Sequence, residues 1–177
     1  MEKNMRTAGN IATILNLVLC LLVTTVPFVG RTAHGGTGQA SAATNETQDW
    51  VDFNLPDASG KQVSLAQFIG KKPVLLVFWA TWCAICKEEV PVINRMHSEP
   101  PMSGKVQILA LDFMESEKKV NAFIKRKQVA YPVLLDRRGR VARKYKVVGI
   151  PTYILFDRDG KVVYRDHDLS GIRKVLE

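Results

Sequence analysis

The sequence predicts a three-layer α/β sandwich built on a mixed sheet. Three observations lead there. Pro73–Trp79 and Val106–Leu111 are almost continuous apolar runs of strand length; each is followed by apolar residues at helical spacing; and two short runs near the C-terminus flank Asp157-Arg158-Asp159-Gly160. Continuous apolar strands fit a sheet covered on both faces, and an Asp-Gly turn between strand-like runs signals a hairpin.

The folded domain is expected over residues 50–177. Val51, Phe53 and Leu55, then Val63 and Leu65, flank the polar turn 56–60 and read as a short hairpin. Leu65–Ile69 suits one helical turn before Gly70. After the first apolar run, Val90, Ile93 and Met96 mark a helix, in which Pro91 removes a donor and should introduce a kink. Val120, Phe123 and Ile124 give Glu115–Lys127 an amphipathic face. Val133–Leu135 is a short strand, Gly139–Tyr145 a loop or helical turn, Thr152–Phe156 and Lys161–Tyr164 the hairpin strands, and Leu169–Glu177 a closing helix.

Residues 1–30 have a different character. Lys3 and Arg6 precede Ile11–Gly30, twenty residues without a charge. Such a run is long enough to cross a hydrocarbon core of about 30 Å. A cleavable signal has a shorter apolar region ending at a small-x-small site. The best match here, Ala40-Ser41-Ala42, lies well past the run, which favours a retained anchor over a removed signal. Either way the basic N-terminus stays inside, and the chain after Arg31 is exported to the periplasm or the extracytoplasmic side of a cell membrane. Residues 31–49, rich in Gly, Ala, Ser and Thr, have linker composition.

The chain of 177 residues carries 25 Lys or Arg against 17 Asp or Glu, a net charge of +8. Residues 115–146 alone hold eleven basic and three acidic side chains. An exported domain argues against a nucleic-acid partner. The ordinary reading of this stretch is a solvated face that keeps the protein soluble; a sharper one is attraction to anionic lipid headgroups.

Of three cysteines, Cys20 lies within the apolar N-terminal run, leaving Cys83 and Cys86 for the domain. A bridge across two intervening residues closes almost no loop and stabilises little. A redox couple and half of a metal site remain. The pair follows the first buried strand, so Cys83 is expected at a helix N-terminus and Cys86 in its first turn. There the partial positive charge of the helix favours a thiolate. The first cysteine is then the exposed nucleophile and the second, one turn inward, resolves the mixed disulfide.

Residues 77–91 (VFWATWCAICKEEVP), followed by Val148-Gly149-Ile150-Pro151-Thr152 and then Phe156-Asp157-Arg158-Asp159-Gly160-Lys161-Val162, resemble the membrane-tethered thioredoxins of the TlpA and ResA type. The three motifs occur in the family's order and the resemblance covers residues 50–177. It implies a thioredoxin-like fold, with Glu115–Leu135 as the central insertion of that group. It also implies a thiol-disulfide oxidoreductase whose only redox group is a Cys83–Cys86 disulfide, with neither metal nor other cofactor. Its partners would be protein thiols and disulfides, including those of apocytochrome c, and a membrane electron donor. Pro151 matches the family's cis-proline, and Ile150, just before it, the residue whose backbone pairs with extended substrates. Glu89 matches the glutamate that ResA-type proteins keep near their thiols. It stands one helical turn after Cys86, where it could exchange that cysteine's proton. Its alternative is a solvated first-turn acid.

Two departures bear on direction. Val77 stands where general thioredoxins bury an aspartate, leaving Glu89 as the only acid the sequence places near the thiols. The dipeptide Ala84-Ile85 contains no histidine or lysine to stabilise a thiolate, which inclines the reading towards a reductant. Trp82 is expected to shield the cysteine face or contact substrate, and Trp79 to sit in the core. Copper(I) handling is an alternative, since two thiolates suffice and Met96 or Met102 could assist. A zinc site would need four ligands, and His34, His97 and His167 are scattered and read as surface residues. A thiol peroxidase is a further alternative; Thr81 is in place for it, but no proline precedes it at the right distance.

Overall fold

The computed structural model describes residues 48–176. The anchor, most of the linker, Cys20 and His34 lie outside the described residues. Among those described, no helix is long and apolar enough to cross a membrane.

The first elements are a hairpin, β1 (Asn54–Pro56) and β2 (Gln62–Ser64), followed by a 3-10 turn at Leu65–Gln67. Asp57 organises the hairpin turn: its Oδ1 accepts the amides of Ser59 at 2.8 Å and Lys61 at 3.0 Å. The main sheet contains β3 (Val74–Trp79), β4 (Gln107–Phe113), β5 (Val133–Asp136), β6 (Thr152–Phe156) and β7 (Val162–Asp166), in the spatial order β5-β4-β3-β6-β7. β3, β4 and β5 run parallel, whereas β6 and β7 are antiparallel to their neighbours. Helices α1 (Ala84–Ser98), α2 (Glu117–Lys127), α3 (Arg140–Lys144) and α4 (Ile172–Leu176) complete the fold.

The expected mixed-sheet sandwich is therefore the observed one, and strand alternation divides its core. Leu75, Val77 and Trp79 of β3 pack on one face with Val90, Ile93 and Met96 of α1, Val120 and Phe123 of α2, and Ile172 of α4. Val74, Leu76 and Phe78 point to the other face, against Phe53 and Val63 of the hairpin and Val141 and Ala142 of α3. Every residue of β3 is buried, as its unbroken apolar sequence requires.

Most differences from expectation lie at element ends. β4 runs two residues past Leu111, through Asp112, which is fully buried although its charge interrupts the apolar run. Within the stretch 139–145, Arg140–Lys144 is helical, and Asp136 holds its free amides: its carboxylate accepts those of Arg140 at 2.8 Å and Ala142 at 2.9 Å. The last helix begins at Ile172, three residues later than expected, with Leu169 buried ahead of it. α1 continues through Pro91 to Ser98.

The topology gathers four segments at one end of the sheet. β3 and β4 end there, with Trp79 and Asp112 in register, and β6 begins there, with Thr152 opposite Phe78. α1 starts five residues after β3 ends. Of the residues singled out from sequence, Trp82, Cys83, Cys86, Ile150 and Pro151 belong to these junctions, and Glu89 lies further along α1.

Candidate active site

The loop from β3 to α1 is short, and Cys83 is the N-cap of α1. Its Sγ accepts the amide of Cys86 at 3.2 Å, and its carbonyl accepts that of Lys87 at 3.2 Å. A helix leaves its first amides without intrahelical partners; here a sulfur takes one of them. Cys83 and Cys86 form a disulfide, with Cα atoms 5.3 Å apart.

Both cysteines are buried, Cys83 at 6% and Cys86 at 4% exposure. The expectation of one exposed and one inner cysteine does not hold: joined as a disulfide, both belong to the buried cluster on the α1 face of the sheet. The residues beside them are the exposed ones. Trp82 is 59% and Ile85 58% exposed. Val148, at 93%, and Met114, at 54%, stand in the loops before β6 and after β4. Four of the seven large exposed apolar residues among those described thus surround the end of the sheet that carries the disulfide.

The Ile150–Pro151 peptide is cis and leads directly into β6. Ile150 is half-buried and Pro151 buried. The strand begins with Thr152, whose Oγ1 donates to the carbonyl of Gly149 at 2.6 Å.

Glu89 lies on α1 and is half-buried. The hydroxyl of Tyr153, a fully buried side chain of β6, donates to its Oε2. Burial holds the Glu89 carboxyl above the usual carboxylate range; the Tyr153 hydrogen bond acts in the opposite direction, and the charges of Asp168 and Glu88 add to the rise. Glu88 is exposed.

Glu89 is not the only acid near this end of the fold, which corrects the reading taken from Val77. Glu115, only 8% exposed, accepts the amide of Thr81 at 2.5 Å and its hydroxyl at 2.8 Å, and pairs with Lys119 Nζ at 2.5 Å. These bonds hold the Glu115 carboxyl below its ordinary value against the opposing effect of burial. They also fasten the loop two residues before Cys83. Asp112 sits opposite Trp79 and accepts the amide of Glu115 at 3.3 Å. Its Oδ2 and the indole Nε1 of Trp79 are the buried side-chain polar atoms without a partner among the described residues. Burial first, and then the adjacent Glu115, push the Asp112 carboxyl up to about 8. Sequence reasoning missed both acids. The one available signal was a pair of acids three residues apart at the end of a buried strand, and it resembles any solvated loop.

Met96 and Met102 are buried in the core, and His97 is half-buried on α1. Among the described residues, no three His, Cys, Asp or Glu side chains are placed to hold a metal ion.

A disulfide across the first turn of a helix, at the same end of a thioredoxin-like sheet as a cis-proline, defines a thiol-disulfide oxidoreductase. The comparisons with known proteins agree. A model of the AhpC/TSA family matches residues 47–165. The chain is 34% identical over 150 residues to thiol-disulfide oxidoreductase ResA of Bacillus thuringiensis subsp. konkukian, covering 85% of this chain and 82% of that one. It is 33% identical to the thioredoxin-like protein YneN of Bacillus subtilis, over 89% of this chain and 91% of that one. The crystal structure of StoA from Bacillus subtilis superposes with a TM-score of 0.58 at 25% identity, covering 66% of this chain and 87% of that one. The chain belongs to the AhpC/TSA family and, within it, to the thiol-disulfide oxidoreductases of the TlpA and ResA kind.

The raised Asp112 carboxyl has a consequence for stability. A carboxyl whose proton is held more tightly in the folded state contributes stability that is fully present below its unfolded titration near pH 3.8 and is lost as pH rises through about 8. Asp112→Asn removes the titration. Urea unfolding at intervals between pH 4 and 9 should show the variant's stability falling less steeply than the wild type's, by up to about 1.4 kcal/mol per pH unit. Parallel curves would contradict the assignment.

Proposed function

We propose that this protein is an exported reductant of protein disulfides, held at a membrane by its N-terminal segment. The observation that carries the reading is the redox couple at the α1 N-terminus, set in a rim of exposed apolar side chains. Exposed apolar patches mark docking surfaces, and a polypeptide disulfide is the substrate class that such a rim suits.

In the reduced protein, Cys83 is the nucleophile. Its thiolate attacks one sulfur of the substrate disulfide, forming a mixed disulfide and releasing the other substrate sulfur as a thiolate, which takes a proton from water. Cys86 then gives its proton to the Glu89 carboxylate and attacks Cys83 Sγ. The Cys83–Cys86 disulfide forms and the second substrate thiolate leaves, taking the proton back from Glu89. Two electrons pass from the dithiol to the substrate, and the disulfide seen here is the product state. Glu89 suits the proton transfer because it is one helical turn beyond Cys86 and holds its proton above the usual carboxylate range.

Ile150 and Pro151 form the backbone edge on which an extended substrate segment pairs, while Trp82 offers an apolar face beside Cys83. The segment 11–30 supports export and anchoring by its length and lack of charge. An exported reductant needs electrons from inside the cell, so a membrane dithiol donor is its partner. Apocytochrome c haem-attachment cysteines are a fitting substrate, in keeping with the ResA likeness. The peroxidase alternative loses ground because the Thr81 hydroxyl is engaged with Glu115. Copper handling gains no support from the buried Met96 and Met102.

Equilibration of the dithiol in thiol buffers should give a reduction potential near or below that of thioredoxin, about -270 mV. A value near about -120 mV would make the protein an oxidant and reverse the assignment. For Glu89, the pH profile of peptide-disulfide reduction should show an inflection above the ordinary glutamate range. Glu89→Gln should abolish that inflection and slow the reaction roughly a hundredfold; an unchanged profile would reduce Glu89 to a surface acid.

A further inference from the structure

Residues 145–151 join α3 to β6 and end in the cis peptide. A proline offers no amide to a ladder, and the β6–β7 pairing begins one residue beyond Thr152, with Tyr153 opposite Asp166. Two side chains of the β7 end tie this connection to the sheet: Arg165 Nη2 donates to the carbonyls of Tyr145 at 2.6 Å and Lys146 at 3.2 Å, at its start, and a histidine acts at its cis-proline end. His167, directly after β7, places Nδ1 2.6 Å from the carbonyl oxygen of Pro151 and 3.3 Å from Oγ1 of Thr152.

The partners settle which atom donates. The Pro151 oxygen can only accept, so Nδ1 carries the hydrogen. The Thr152 hydroxyl uses its own hydrogen on Gly149 and can accept a share of the same donor. The ring thus meets both partners through its Nδ1–H. The backbone of His167 is itself held, its amide donating to Asp166 Oδ1 at 2.6 Å. Gly149, the carbonyl that Thr152 engages, lies beside the ring: a Cβ built there would be 3.8 Å from His167 Cε1. The exposed histidine read from sequence as an ordinary surface residue is therefore the brace of the cis-proline loop.

We propose that His167 is a positioning residue for substrate binding: by holding the Pro151 carbonyl it fixes the Ile150 backbone in the orientation that an extended protein substrate pairs with. This rests on the reading above that Ile150 and Pro151 form the substrate edge. The partners of the ring are atoms of Pro151 and Thr152, where the loop enters β6, and the dithiol stands on a different element. The effect belongs to recognition of polypeptides and not to chemistry at sulfur.

The test compares wild type, His167→Ala and His167→Asn of the full-length protein on two oxidants. One is a peptide disulfide long enough to pair along the loop, and the other a small aromatic disulfide that reaches the sulfurs without pairing. Loss of one hydrogen bond should raise the KM of His167→Ala for the peptide about fivefold. Its kcat, its rate with the small disulfide and its reduction potential should stay at wild-type values. His167→Asn should restore KM, because its side-chain amide can donate to the same carbonyl. An unchanged KM in His167→Ala overturns the inference, as does a parallel loss with the small disulfide or a failed rescue by asparagine. A peptide N-methylated along its backbone, assayed on wild type, separates the two readings. If methylation leaves KM unchanged, the loop is not the substrate edge and the role of His167 falls with it. If methylation raises KM and His167→Ala does not, only the role of His167 is lost.

Discussion

The bond from the Cys86 amide to the Cys83 sulfur, across the first turn of α1, is the interaction on which the site depends. A helix N-terminus presents amides that must find acceptors, and its dipole favours negative charge there. Placing cysteine at the N-cap makes a sulfur that acceptor. The same local geometry sets the second cysteine one turn on, within bonding distance. The rest of the molecule holds this turn in place. β3 is buried on both faces and fixes where the chain emerges, α1 is held by Val90, Ile93 and Met96, and Glu115 fastens Thr81 between strand and helix.

The acids around the site have different tasks because their surroundings differ. Glu115 is surrounded by donors, from Thr81 and from Lys119, and stays ionised although buried. Asp112, two strand positions beyond the register of Val77, accepts a single amide and faces a neighbouring carboxylate, which favours its protonated form. Glu89 lies between these cases, half-buried with one tyrosine donor. Two carboxylates close to each other thus titrate in different ranges, and the end of β4 and the loop after it carry both a neutral buried acid and an electrostatic anchor.

Much of the fold was legible because apolar periodicity reports burial. The runs at 73–79 and 106–111, the spacing of Val120 and Phe123 and the Asp157–Gly160 turn each correspond to an observed element. The dithiol was legible through a motif that sets two cysteines at short spacing, and the cis-proline at Pro151 only through the family resemblance. What escaped was long-range and polar. Asp112 and Glu115 approach Thr81 only when β4 lies beside β3, and His167 reaches Pro151 only when β7 folds back on β6. No local pattern marks an acid or a histidine whose partner is a distant backbone atom.

The account turns on an ordered pair, with Cys83 attacking and Cys86 resolving. Trapping tests that order directly. Cys86→Ala and Cys83→Ala are each incubated with a peptide disulfide, and covalent adducts are read by mass spectrometry under non-reducing conditions. The account predicts a stable mixed disulfide on Cys83 in the Cys86→Ala variant and at most slow labelling of Cys86 in the other. Equal trapping on both cysteines, or faster trapping on Cys86, would contradict it.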